Sequence, residues 1–215
     1  MIMNKFLVFC KSDGIKNAIW FSIKSITNVL FHHSSTKCIY LERKSFRQIS
    51  KPEWDRYSYK IFDKAEDVST LPFDRLKLLP YRKWMENGSL AIVAFDGKTP
   101  VAFGWTHFKS HSIHYVGTFD MGNNIAWLGP SFVHKDFRGK GLQKLIIQLG
   151  ITTAPNNIDS FITSVNSGNA PSLSSFFKLG FKEGLDISTK TGILSKKATE
   201  INEIDKKSQI YLRLK

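Results

Sequence analysis

The stretch Ile125–Gln143, IAWLGPSFVHKDFRGKGLQ, decides the fold. Its first nine residues are mostly apolar and read as a strand. From Gly141 to Ile151, Leu142, Leu145, Ile146 and Leu149 fall on one face, the spacing of an amphipathic helix. Between strand and helix stands Arg138-Gly139-Lys140-Gly141. That order makes an anion-binding construction. Glycines let the backbone curl with its N–H groups inward, and the helix N-terminus adds partial positive charge. Arg138 and Lys140 add charge and donors, so the loop suits a diphosphate.

Upstream, LAIVAFD (90–96) and PVAFGWTHF (100–108) alternate with period two around Asp96-Gly97 and read as a hairpin. SIHYVGTFD (112–120) is a further strand, separated from IAWLGPSFV by Met121-Gly122-Asn123-Asn124. Downstream, FITSV (161–165) reads as a buried strand. Asn166 to Pro171 follows, then a short helix, SLSSFFKL, closed by Gly180, after which Phe181 restarts a strand.

Together these residues resemble the GNAT superfamily of acyl-CoA-dependent N-acetyltransferases. The family's first motif, Val and then Arg/Gln-x-x-Gly-x-Gly/Ala, stands here as Val133 and RGKGLQ (138–143). Its second, Asn-x-x-Ala, a helix ending in Tyr, then Gly-Phe, stands as Asn169, Ser172, Phe176 and Leu179-Gly180-Phe181. The resemblance implies an α+β or α/β fold: a mixed, mostly antiparallel central sheet with splayed strands and flanking helices. It also implies acetyl-CoA, or another acyl-CoA, as co-substrate. By position, Phe132 and Val133 would hold pantetheine through their backbone, and Arg138, Gly139, Lys140, Gly141 and Leu142 would hold the diphosphate. Asn169 would touch the pantetheine arm or hold the helix start, and Phe176 would lie beside the cofactor.

The implied chemistry is direct attack of a neutral amine on the thioester, with a backbone N–H stabilising the oxyanion. Three departures stand out. Gln143 replaces the final Gly/Ala of the first motif, which relaxes close packing at the first helical turn. Phe176 replaces the usual Tyr, removing an acid for the leaving thiolate, although a thiol pKa near about 8.5 makes thiolate a fair leaving group. Trp127 stands near the position of a Glu base. Asp120 and His107 are the catalytic candidates in its place. His114, His134 and Glu86 are weighed beside them; Asp120 also reads as a turn carboxylate, His107 and His114 as structural or solvated, and His134 as a neighbour of the cofactor. His107, His111 and His114 have no Cys or carboxylate at ligand spacing, so no metal is expected.

The remaining chain sets the context. Over 215 residues, 42% hydrophobic and 13% aromatic positions argue for a packed globular protein rather than disorder. Cys10 and Cys38 make no disulfide framework, which fits a reducing, cytoplasmic setting. Lys and Arg number 31 against 18 Asp and Glu, for a net charge of +13. That favours anionic partners, yet the charge is spread along the chain, which argues against a dedicated nucleic-acid surface.

Residues Ile15–Phe31 are spaced as an amphipathic helix with Trp20 between Lys16 and Lys24. Docking on its own domain or a second subunit, as in a homodimer, leads; the alternative is the headgroup layer of an anionic membrane, peripheral on its inner face. CIYLERKSF (38–46) reads as a short strand, SKPEWDRYSYKIFD (50–63) as an irregular segment and Leu71–Gly88 as helical between prolines. The polar stretch Ser188–Lys207 is longer than a hairpin needs, and QIYLRLK (209–215) is a final strand. The expected organisation is an N-terminal extension over 1–35 and an acetyltransferase-like domain over 36–215, with its motif-bearing core at 89–187.

The expected function is transfer of an acyl group, in the first place acetyl, from CoA to the primary amine of an anionic small molecule. An amino sugar on a nucleotide or lipid carrier fits, as does a looser similarity to family members of surface-polysaccharide synthesis. Two alternatives stay open: a catalytically silent acyl-CoA-binding or membrane-surface module on the same scaffold, and a protein or peptide N-acetyltransferase.

Overall fold

The computed structural model describes residues 10, 14–17, 19–20, 23, 31–113, 117–192, 198–203, 205 and 213–214. Strands β1 (Phe31–Glu42), β2 (Tyr57–Phe62), β3 (Leu90–Asp96), β4 (Thr99–His107), β7 (Ile125–Val133), β8 (Ser160–Asn166), β9 (Lys182–Gly192) and β10 (Ala198–Glu203) form one sheet. Its order is β10-β9-β1-β8-β7-β4-β3-β2. A small second sheet joins β5 (Ser110–Ile113), β6 (Gly117–Asp120) and β11 (Arg213–Leu214). In the large sheet every pairing is antiparallel except β7 with β8. A parallel pair needs a crossover, and helix α4 (Leu142–Thr152) supplies it.

The β3–β4 hairpin turns through Gly97-Lys98, with Asp96 opposite Thr99. Ala91, Val93 and Phe95 pack toward the short helices α1 (Ala65–Thr70), α2 (Asp74–Lys77) and α3 (Tyr81–Glu86). Ile92 and Ala94 pack toward Leu142, Ile146 and Leu149 of α4. Burial on both faces explains why this strand reads as nearly unbroken apolar sequence. On β7, Ala126 and Leu128 meet α4, whereas Ile125 and Trp127 meet Phe119 and Met121 beside the second sheet. Helix α5 (Ala170–Lys178) completes the α4 layer through Leu173 and Phe176. Each fully buried Leu, Ile or Phe contributes roughly 1.5–3 kcal/mol, so the sheet is clamped from both faces.

Several expectations are corrected here. The irregular segment 50–63 contains β2, an edge strand whose central residues are exposed and therefore lack apolar alternation. The helical stretch 71–88 holds two short helices limited by its prolines as expected, α2 after Pro72 and α3 after Pro80. Strand β1 spans 12 residues and lies inside the sheet, so it crosses the 35/36 boundary and begins at Phe31, where the amphipathic helix was expected to end. Much of 188–207 is strand: β9 continues to Gly192 and pairs with β10. Of the amphipathic segment, Ile15–Asn17, Ile19, Trp20 and Ile23 are helical, and Ile15, Ile19, Trp20 and Ile23 are exposed. The rest of it up to Leu30, and His114, lie outside the described residues. No helix among the described residues is long and apolar enough to cross a membrane.

Candidate active site

The parallel pairing of β7 with β8 covers only Ile125–Trp127 against Ser160–Ile162. Beyond Trp127 the strands part. Gly129 and Pro130 together stand opposite Trp105 where the β4 register shifts, a bulge in β7. Pro130 has no N–H to continue a ladder, and Gly129 adopts a φ of 116°, which a side chain disfavours. The Gly-Pro pair inside an apolar run thus encodes the opening of the sheet.

The freed carbonyls on the bulge are held by side chains. Thr163 Oγ1 donates to the Leu128 carbonyl at 2.6 Å. His107 Nε2 lies 2.9 Å from the Gly129 carbonyl, and His107 Nδ1 lies 2.8 Å from Ser89 Oγ. A carbonyl only accepts, so Nε2 carries the proton and Nδ1 accepts from Ser89. Burial pushes the His107 imidazole down to about 4, keeping it neutral.

Through the opening runs a cavity of about 410 Å³. On one side it is walled by α4 and α5, through Ile146, Ile147, Ser172 and Phe176; on the other by Trp84, Trp105, His111 and Trp127. A second cavity of about 540 Å³ lies along Phe132 and Val133, the 137–142 turn and the start of α5. Ser131, Gln143 and Asn169 line both, so the two are adjacent and share a wall.

The loop is shaped as its glycines suggest. Gly139 and Gly141 have φ of 80° and 79°, and Gly141 caps α4. A Cβ at Gly141 would sit 3.2 Å from Trp54 Nε1. That indole donates to the Lys140 carbonyl at 3.2 Å, tying the loop to the Pro52–Trp54 turn. The loop cations rest on rings: Arg138 over Phe132 at 5.9 Å and Lys140 over Phe137 at 4.7 Å. Arg138 Nε also donates to the Val133 carbonyl at 3.2 Å. Gln143 Nε2 donates to Ser172 Oγ at 2.7 Å and ties α4 to α5. Asn169 Oδ1 accepts from the Ser172 N–H at 3.3 Å and caps α5.

Of the residues expected at a cofactor site, Phe132, Val133, Arg138, Gly139, Gly141, Leu142 and Asn169 line the second cavity. Lys140 is in the loop without lining it, and Phe176, edge-on to Phe181 at 5.0 Å, lines the first. Asp120 and His107 line neither cavity. Asp120 belongs to the second sheet, where its Oδ1 accepts from Gly122 N–H at 3.2 Å. Glu86 and His134 are also absent from both linings.

The sequence reading passed over His111 as a site residue. It is the only ionisable side chain among the described residues lining the first cavity. Its ring lies 4.7 Å from Trp127 and 4.6 Å from His107, with Trp84 at 6.2 Å. Burial, with the neighbouring His107 acting in the same direction, pushes its pKa down to about 3. The only signal was its position at the start of a strand beside the hairpin, and the face of that strand is not legible locally.

A family profile described as the acetyltransferase (GNAT) family matches residues 44–181. No curated protein sequence matches the chain. Among solved structures, the chain is similar to a GNAT-family acetyltransferase from Colwellia psychrerythraea, with 14% identity and a TM-score of 0.50, covering 79% of this chain and 60% of that one. It is also similar to a GCN5-related glucosamine N-acetyltransferase region of a fungal multi-domain GH3 β-N-acetylglucosaminidase: 10% identity, TM-score 0.51, 83% of this chain and 23% of that one. The chain therefore spans less than two thirds of either neighbour, and at these identities the likeness is one of fold. With the family profile covering more than half of its length, the chain belongs to the GNAT acetyltransferase family.

Proposed function

We propose that this protein transfers an acyl group, in the first place acetyl, from CoA to the primary amine of a small, uncharged or anionic acceptor. The observation that carries the reading is that the two adjacent cavities, sharing Ser131, Gln143 and Asn169, lie where β7 and β8 part. An extended pantetheine arm fits such a gap as an added strand would, with its amides on the exposed strand edges of Phe132 and Val133. The diphosphate then meets the N–H groups of Arg138 to Leu142 at the start of α4. The thioester reaches the bulge at Gly129, and the acceptor enters from the side of Trp84, His111 and Trp127.

Chemistry at that point is a substitution. The amine lone pair forms the C–N bond, the tetrahedral oxyanion collapses, the C–S bond breaks, and CoA leaves as its thiolate. One amine proton must depart. His111 is the only ionisable side chain among the described residues lining this cavity; its low pKa makes it a hydrogen-bond acceptor that orients the amine and relays the proton to solvent rather than keeping it. His107 has both nitrogens engaged and acts as a positioning residue that fixes the Gly129 carbonyl.

No Asp or Glu is among the described residues lining either cavity. A polycationic acceptor would be desolvated there without a counter-charge, whereas an amino sugar bearing phosphate suits a chain of charge +13. The exposed apolar residues Ile15, Ile19, Trp20 and Ile23 favour work at an anionic membrane face. The test is release of free thiol from acetyl-CoA across amino-sugar nucleotides, peptides and simple amines. Turnover confined to the first group supports the reading. Saturable acetyl-CoA binding with no turnover on any acceptor favours a silent module, and turnover confined to peptides favours a protein acetyltransferase.

A further inference from the structure

Near the diphosphate loop stand three lysines that no ion pair among the described residues neutralises. Lys51 precedes the Pro52–Trp54 turn, and its Cδ lies 3.5 Å from where a Gly141 Cβ would stand. Lys144 is on the first turn of α4 and lines the second cavity. Lys178 ends α5, on the helical face of Pro171 and Ser175, which line the same cavity. Among the described residues none of these lysines has an ion-pair partner.

The charges are close enough to act on one another. Burial holds the Lys144 ammonium below its usual range, and Lys178 and Lys51 push the same way. Folding thus brings like charges together from separate segments with no ion pair to any of them among the described residues, an arrangement that costs stability until an anion enters it. The loop cations differ, since Arg138 and Lys140 are already engaged on aromatic rings.

We propose that Lys51, Lys144 and Lys178 form a second phosphate subsite, apart from the backbone amides of 138–142, which takes the 3′-phosphate on the ribose of CoA. This rests on the CoA reading above. A diphosphate seated on the loop amides leaves one further phosphate on that ligand, a terminal monoester of about two negative charges at neutral pH. Lysines on flexible stems suit a point-like dianion at a cavity edge.

The test compares CoA with dephospho-CoA by isothermal titration at neutral pH and fixed low salt. Wild-type protein binds CoA roughly ten- to a hundredfold tighter, the scale of one or two charge-assisted contacts. In the Lys51→Gln/Lys178→Gln double variant that ratio falls toward one while dephospho-CoA affinity changes less than about twofold. The variant's ligand-free melting temperature is not lowered, because unpaired like charges have been removed. A wild-type ratio near one overturns the subsite and leaves the CoA reading standing. So does a ratio preserved in the variant, or an equal loss for both nucleotides. Binding of neither nucleotide to wild type overturns the CoA reading itself.

Discussion

The indole N–H of Trp54 donates to the carbonyl of Lys140 at 3.2 Å, joining the segment before β2 to the loop before α4. Trp54 is 7% exposed, so this bond is made in a largely dry setting. That bond fixes the loop between its two positive-φ glycines, Gly139 and Gly141. Trp54→Phe keeps a ring but removes the donor, and the expected cost is about 1 kcal/mol. CoA affinity should therefore fall about five- to tenfold with pantetheine affinity unchanged. Titration of both ligands checks this; an equal loss for both would mean that Trp54 supports the whole domain and not the loop.

Acid should destabilise the protein through its paired histidines. His107 and His111 are pushed from 6.5 down to about 4 and about 3. Both folded values lie below the unfolded one, so below pH 6.5 the unfolded chain binds protons that the folded protein refuses. Stability is full above that value and falls as pH drops toward 4, by up to about 2.7 kcal/mol per pH unit when both are refused. Melting temperature measured between pH 7.5 and 5 should decline, and less steeply in His111→Phe. A flat wild-type profile over that range would show that neither imidazole is buried neutral.

His111→Phe should keep the ring contacts with Trp127 and His107 while removing the proton acceptor. With any acceptor the wild type turns over, kcat should drop by about a hundredfold or more while the KM for acetyl-CoA stays put. Unchanged kcat would move proton removal to water or to the acceptor itself.

The membrane reading is tested by deletion of residues 1–30, which stops short of β1. The shortened protein should pellet less with anionic vesicles than the full chain, and no differently with neutral ones. Equal pelleting with anionic vesicles would give Ile15, Ile19, Trp20 and Ile23 another purpose, such as packing against a second copy.

The sequence disclosed elements whose stabilising contacts lie close along the chain. The β3–β4 hairpin, the loop from Arg138 to Gly141, helix α4 and the Asn169 cap follow from period, turn chemistry and glycine placement. What stayed hidden depends on distant partners. Tyr57–Phe62 is a strand because β3 pairs with it, and its exposed residues give no alternation. The polar start of β1 and the residues after Ser188 are strand because they pair with each other and with β10. At the site, loop and cap residues were legible as a linear motif. His111 and Trp54 were not, because each is defined by a residue far along the chain, Trp127 and Lys140 respectively.

The most direct test is isothermal titration of acetyl-CoA into wild-type protein and Gly141→Asp, with melting temperature as the control for folding. At Gly141 a side chain meets a φ of 79° and the Trp54 indole, and a carboxylate adds charge where the diphosphate should sit. The expected result is saturable one-to-one binding to the wild type, weakened at least about a hundredfold in the folded variant. Equal affinity of the two proteins, or no binding by the wild type, would contradict the placement of CoA between β7, β8 and the loop.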